Sequence, residues 1–274
     1  MEATHDGPGG GAARWVELAE VDNIRDLGGL PVLGGGRTRH GVVFRASTLQ
    51  DATAGDVELL LGRYRLRTVV DLRGPDEAAR EGHGLLADTA VRRVSLPVRR
   101  VQALVTDAVP AVRGEGGEAG EAGDAGEAAD DTAGFYEGLL DGSGASLVDA
   151  ARIVADTEQH AVVFHCAVGK DRTGVLAALL LDAVGVPADA IAADYALTAQ
   201  RVVRIRERLA RLPSYRDLPA VEHHYMASKP QVMHHFLDTL RTRHGGAGRW
   251  LRERGLTGAE LGRLKDVLVA GPES

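Results

Sequence analysis

Ten consecutive residues, His165-Cys-Ala-Val-Gly-Lys-Asp-Arg-Thr-Gly174, hold the only cysteine of a 274-residue chain. Within it Cys166 and Arg172 bracket five residues. If the residues between them curl into a loop, their backbone N–H groups surround a concavity, and a helix starting behind it adds the positive end of its dipole. Such a site takes a phosphate. An arginine fork can clasp two phosphate oxygens, which a lysine cannot. The same positive field favours the thiolate over the thiol, and a thiolate facing a bound phosphate is a nucleophile for phosphorus.

The neighbours fit that chemistry. His165 can hydrogen-bond backbone and hold the loop's shape, and Gly169 allows the positive φ that turns amides inward. Thr173 can donate its hydroxyl to the thiolate, and Gly174 allows close packing as the helix begins. Ala167, Val168 and Lys170 complete the loop. A buried cysteine is more often a small hydrophobe, but here ten residues agree in context. A Walker loop is excluded, because Lys170 is followed by Asp171 rather than Ser or Thr.

The elements that must position this loop are legible on either side. Ala161-Val-Val-Phe164 is a continuous apolar run, as in a strand covered on both faces, and Val175 to Val184 reads as a strongly apolar helix. Further strands are expected at Val42–Arg45, Leu66–Leu72 and Val91–Val98, with helices from Thr53 to Leu61 and from Ser146 to Gln159. From Pro187 onward nearly everything reads as helix. The chain thus divides into a β-rich half, a central strand–loop–helix unit and a helical C-terminal half.

Bulk properties narrow the function further. The single cysteine excludes a disulfide framework and a thiolate metal cluster. No apolar run reaches membrane-spanning length and no Sec-type signal is visible, so a cytoplasmic protein without a stable membrane anchor is expected; export without a recognisable signal stays open. The net charge of −7 belongs to one segment: residues 114–134 carry seven acids and no Lys or Arg, and the remaining 32 acids balance 32 Lys plus Arg. No nucleic-acid footprint is present. Residues 1–13 read as a disordered tail, 14–270 as one domain, and 113–134 as a flexible acidic Gly/Ala-rich insertion that cannot bury enough apolar surface to order itself.

The stretch HCAVGKDRTG resembles the phosphate loop of cysteine-dependent protein tyrosine phosphatases, in the form found in the bacterial tyrosine and dual-specificity group that includes mycobacterial tyrosine phosphatase B. Four flanking segments resemble that group in order: Asn23-Ile-Arg-Asp-Leu-Gly-Gly29, Phe44-Arg-Ala-Ser-Thr-Leu49, Val70-Asp-Leu-Arg73 followed by Glu77, and Asp194-Tyr-Ala-Leu-Thr198. The resemblance implies an α/β cysteine-phosphatase fold, a central mostly parallel sheet flanked by helices, with a C-terminal helical lid over about 187–245. It implies a metal-independent phosphatase of relaxed (dual) specificity working through a phosphocysteine, with Cys166 as nucleophile and Arg172 as phosphate clamp.

A proton donor is still needed for the leaving oxygen. Neither Trp15 nor Trp250 precedes Pro-Asp, so a separate Trp-Pro-Asp loop is absent. The resemblance points to Asp171 inside the loop, with Asp71 at the end of a strand as the competitor. Asp71 and Arg73 are also candidates for the substrate pocket or for a plain ion pair. Asp26 is expected to cap a turn, and Asp194 and Tyr195 to pack behind the loop.

Arg201, Arg204, Arg208 and Arg211 form one stripe of a helix whose opposite stripe is apolar. The plain reading is a solvated face; the sharper one is a basic lid, with Arg201 and Arg204 in the pocket, steering phosphoproteins or phosphoinositide headgroups. His223-His224 and His234-His235 lack the carboxylates that would complete a metal site, so no metal or cofactor is expected. A phosphoinositide phosphatase, a non-catalytic phosphoprotein-binding module and a thiol redox sensor remain the alternatives. Nothing in the sequence sets the oligomeric state.

Overall fold

A computed structural model describes residues 14–99, 125–216, 218, 220 and 226–271. The expected tail, residues 113–124 of the acidic segment, and His223 and His224 lie outside them. In chain order the elements are β1 (Arg25–Asp26), β2 (Arg37–Thr38), β3 (Val43–Ala46), α1 (Ala54–Gly62), β4 (Thr68–Asp71), α2 (Pro75–Glu81), β5 (Arg92–Ser95), α3 (Ala125–Gly142), α4 (Gly144–Ala155) and β6 (Val162–His165). The helical half follows with α5 (Asp171–Ala183), α6 (Ala188–Ala196), α7 (Val202–Leu209), α8 (Pro230–His244), α9 (Ala247–Glu253), α10 (Gly258–Leu268) and the short β7 (Val269–Ala270).

Five strands form the central sheet in the order β1-β3-β6-β4-β5; all pairings are parallel except that of β1 with β3. β6 lies in the middle, and Val162, Val163 and Phe164 are fully buried, as the unbroken apolar run requires. In open parallel sheets the crevice beyond the strands' carboxyl ends is where ligands bind. The chain leaves β6 at that end, and the ten-residue stretch sits there.

Local signals agree with this frame. Thr53 caps α1 and Asp56 answers it, each side chain accepting from the other's backbone N–H. Proline begins α2 and α8, where a missing N–H costs nothing. α5 is buried along almost its whole length, so it passes through the core rather than over it. It starts at Asp171, four residues before the expected Val175, because Asp171 to Gly174 form its first turn.

Two expectations need correction. The acidic segment is not a flexible insertion throughout: residues 125–134 are helical, within α3. Phe135, Tyr136, Leu139 and Leu140, just downstream, are buried on one face, and α3 packs against α5 and α8. That anchor extends back through the Ala- and Glu-bearing residues, which favour helix. Nor is 187–245 one lid. Residues of α6 and α8, among them Tyr195, Met233 and Phe236, belong to the main core. Among the described residues, α7, the turn Pro213–Tyr215 and Leu218 meet the loop, where Ile205, Leu209, Tyr215 and Leu218 join Ala167 and Val168 in a small apolar cluster. Among the described residues no helix is long and apolar enough to cross a membrane.

Candidate active site

Cys166 follows directly on β6 and is buried. Two donors converge on its sulfur: the Gly169 N–H at 3.3 Å and the Thr173 hydroxyl at 3.1 Å. Gly169 has φ +74°, and a Cβ there would come within 2.4 Å of the Ala46 carbonyl oxygen, so only glycine fits. The loop's carbonyls turn outward and each finds a donor. Thr48 N–H donates to Ala167 O, the Asn23 side-chain amide to Val168 O and Gly169 O, and Arg45 Nη2 to Gly169 O. His165 Nδ1 lies 3.2 Å from Cys166 O. Across each trans peptide the N–H lies opposite its oxygen, and the Gly169 N–H accordingly reaches Cys166 Sγ.

Arg172 is fully buried, and Glu77 of α2 holds it in a two-pronged ion pair, Nη1–Oε2 2.6 Å and Nη2–Oε1 3.0 Å. Burial pulls the guanidinium down, but the charges of Glu77 and Cys166 outweigh it and raise its pKa well above the ordinary value. Glu77 moves the other way for the same reason: burial raises it, and Arg172 more than reverses that. The pair therefore stays ionised. Glu77 takes two of the five guanidinium donors. The sequence had marked Glu77 only as part of a motif; its partner became visible when α2 was placed beside the loop.

The two aspartates occupy different surroundings. Asp171 Oδ1 accepts from the Tyr136 hydroxyl at 2.8 Å and lies 2.9 Å from Lys170 Nζ. Tyr136 also meets the Tyr195 hydroxyl at 2.7 Å. Burial first, then Asp171, drives the Tyr136 phenol well above its usual pKa, so it keeps its proton and donates it as a hydrogen bond. Lys170 of the loop is buried and ion-paired with Asp171. Asp71 is engaged by its own Arg73 through backbone N–H, Nε and Nη2, with His165 Nε2 at 3.8 Å and His83 Nδ1 at 3.6 Å. Although burial raises it, His165 and Arg73 hold its carboxyl well below the carboxylate range. In the structure Asp71 braces Arg73 and lies against His165. Arg73 is itself buried, bound to Asp71, to Gln50 and to Gly82 O.

The arginine stripe does not reach the loop. Arg201 pairs with Glu17 and lies over the Trp15 ring, Arg204 pairs with Asp22, and Arg208 with Glu20 and Asp22. These contacts tie Arg201, Arg204 and Arg208 to residues 15–22. His234 faces Asp189 at 3.5 Å. Asp26 caps its turn as expected, accepting from Gly28 and Gly41 N–H. Asp194 packs behind the loop, ion-paired with Arg14, Arg25 and Arg45. Tyr136 had no signal in the sequence, since it follows the acidic segment and its neighbour in space is 35 positions away. Tyr215, also unforeseen, is driven up by burial first and then by the charge of Glu77.

Comparison with known proteins gives the family. A model of the tyrosine phosphatase family matches residues 16–270, and the chain belongs to that family. It is accordingly a protein-tyrosine-phosphatase, a phosphoric monoester hydrolase. A Cupriavidus necator protein named as a candidate tyrosine-protein phosphatase is 29% identical over 254 residues, 92% of this chain and 87% of that one. The triple specificity protein phosphatase PtpB of Mycobacterium tuberculosis is 26% identical over 287 residues, 92% of this chain and 98% of that one. A solved structure of Pseudomonas aeruginosa TpbA in complex with phosphotyrosine aligns at 18% identity over 57% of this chain and 67% of that one, with a TM-score of 0.28.

Proposed function

We propose that this phosphatase works without a metal, through a phosphocysteine intermediate, on phosphotyrosine and with relaxed specificity beyond it. Cys166 Sγ attacks phosphorus as the thiolate, forming an S–P bond as the P–O bond to the leaving oxygen breaks. The loop amides and the remaining donors of Arg172 hold the equatorial oxygens, over which the charge of a loose transition state is spread. Asp171 gives its proton to the leaving oxygen. Water then attacks the phosphocysteine, Asp171 takes a proton from it, and inorganic phosphate departs with the thiolate restored.

The observation that carries this reading is the convergence of two donors on one sulfur, beside an arginine already fixed by Glu77. A binding module has no use for the nucleophile. Relaxed specificity is supported by the relative whose name records triple specificity. The phosphorylated substrate is a protein in the leading reading and a phosphoinositide in the second.

The test is turnover of phosphotyrosine peptide, phosphoserine peptide and phosphatidylinositol phosphates with chelator present, for wild type and Cys166→Ser. We expect wild type to turn over the tyrosine peptide with the other substrates slower, and the variant to be dead on all. Retained turnover in the variant overturns the mechanism. A preference for lipid over peptide makes the phosphoinositide reading the correct one, and binding without turnover restores the binding module.

A further inference from the structure

Asn23 is one of two described residues other than glycine with positive φ, at +57°, and it is almost completely buried. Its side chain lies under the phosphate loop, 145 residues further along the chain, and donates to Val168 O at 3.1 Å and to Gly169 O at 3.0 Å. The orientation of its amide is not ambiguous. Arg25 Nη1 meets the other end, Asn23 Oδ1, and a guanidinium only donates, so the atom facing it is oxygen and the atom facing the two carbonyls is nitrogen.

A trans peptide points its C=O and its N–H in opposite directions. The Val168 oxygen and the Gly169 N–H are two ends of one such plane. Pulling the oxygen toward Asn23 aims the N–H the other way, where it lies 3.3 Å from Cys166 Sγ. Holding the Gly169 oxygen does the same for the Lys170 N–H, with Arg45 Nη2 assisting at 2.9 Å. Both planes adjoin Gly169, the residue least able to resist rotation, because it has no side chain to anchor it. The freedom that lets the loop form would also let it flip.

We propose that Asn23 is a positioning residue of the phosphatase reaction: by gripping the carbonyls of Val168 and Gly169 from behind, it keeps the intervening amides aimed at the thiolate and at the bound phosphate. This rests on Cys166 being the nucleophile. The left-handed backbone dictates the variant, since Asn23→Gly keeps that backbone free of strain and removes only the amide. Asn23→Asp, which also tolerates it, replaces a donor with an acceptor and forms the second arm, whether or not the glycine variant folds.

The sole cysteine makes the readout clean: thiolate absorbance at 240 nm is followed against pH, with Cys166→Ser subtracting the tyrosine background. In either variant the signal should appear at higher pH than in wild type, and kcat/KM for phosphotyrosine peptide should fall about ten-fold or more, as for loss of a hydrogen bond to a charged group. Inhibition by inorganic phosphate should weaken in parallel. A merely structural asparagine would lower the melting temperature and leave the thiolate where it was. A folded variant whose thiolate signal and kcat/KM both stay within two-fold of wild type overturns the proposal. The titration needs no turnover, so activity surviving in Cys166→Ser would fail the nucleophile alone, and an unmoved thiolate would fail Asn23 alone.

Discussion

The phosphate loop and α7 are both basic, and both draw carboxylates from distant stretches of chain. At the loop, Arg172 meets Glu77 in a buried pair, and Lys170 meets Asp171 with neither exposed. At α7, Arg204 reaches Asp22 with half of its side chain in solvent, and Arg201 reaches a largely exposed Glu17. Out of water, a fixed charge acts strongly on whatever enters the site; at the surface, water and salt screen it. The same residue type thus serves chemistry in one region and fastening in the other. What separates them is the burial of the arginines themselves, since Asp22 is as buried as Glu77 while Arg204 is half in solvent and Arg172 is not.

The sharpest way to break this contrast is at the buried pair. Arg172→Lys keeps the charge but loses the fork, and kcat/KM should fall by at least about a hundred-fold. Glu77→Ala leaves a buried guanidinium unpaired and should cost about 3 kcal/mol of stability by denaturant melt, with activity falling alongside. If either change were as mild as one on α7, burial would not be what distinguishes the regions.

An intermediate effect is expected at the loop's first residue. Burial foremost lowers His165 from 6.5 to about 4, against the opposing charge of Asp71. The unfolded chain therefore takes up a proton below 6.5 that the folded chain refuses until about 4, and stability should decline as pH falls through that window. The melting temperature of His165→Asn should decline less steeply there than that of wild type. Parallel curves for the two proteins would show that His165 is protonated in the fold at no such cost.

The smallest effects belong to α7. Arg201→Ala and Arg204→Ala should each cost under about 1 kcal/mol and leave kcat/KM for phosphotyrosine peptide unchanged. A selective ten-fold loss on phosphoinositide vesicles would return these arginines to the substrate and erase the contrast.

Legibility followed locality. The loop's chemistry was readable because nucleophile, glycine, threonine and arginine fall within nine residues, bounded by a strand and a helix whose apolar runs leave little choice. The four parallel strands of the central sheet were legible for the same reason, down to β6 as the doubly covered one, but the two-residue antiparallel β1 is too short to leave a periodic signal. The arginine stripe was legible as a pattern but not in its target, since amphipathicity tells which face is polar and not what it meets. Asp71 and Asp171 stayed rivals in the sequence because the difference between them is one of neighbours: Arg73, His165 and His83 around one, Lys170 and Tyr136 around the other. The helical end of the acidic segment was missed because composition spoke for disorder, while the anchor at Phe135 and Tyr136 lies just beyond it.

By itself, then, the sequence determined where Cys166, Arg172 and their loop fall, between a buried strand and an apolar helix, and most of the parallel sheet beneath them, because periodicity and short-range spacing are written along the chain. Only the tertiary structure decided what holds them: Glu77 on Arg172, Asn23 beneath Gly169, Tyr136 on Asp171. Each partner comes from a separate element, tens of residues or more away, and a hydrogen bond or ion pair depends on a few ångströms in space, a distance that sequence separation does not encode.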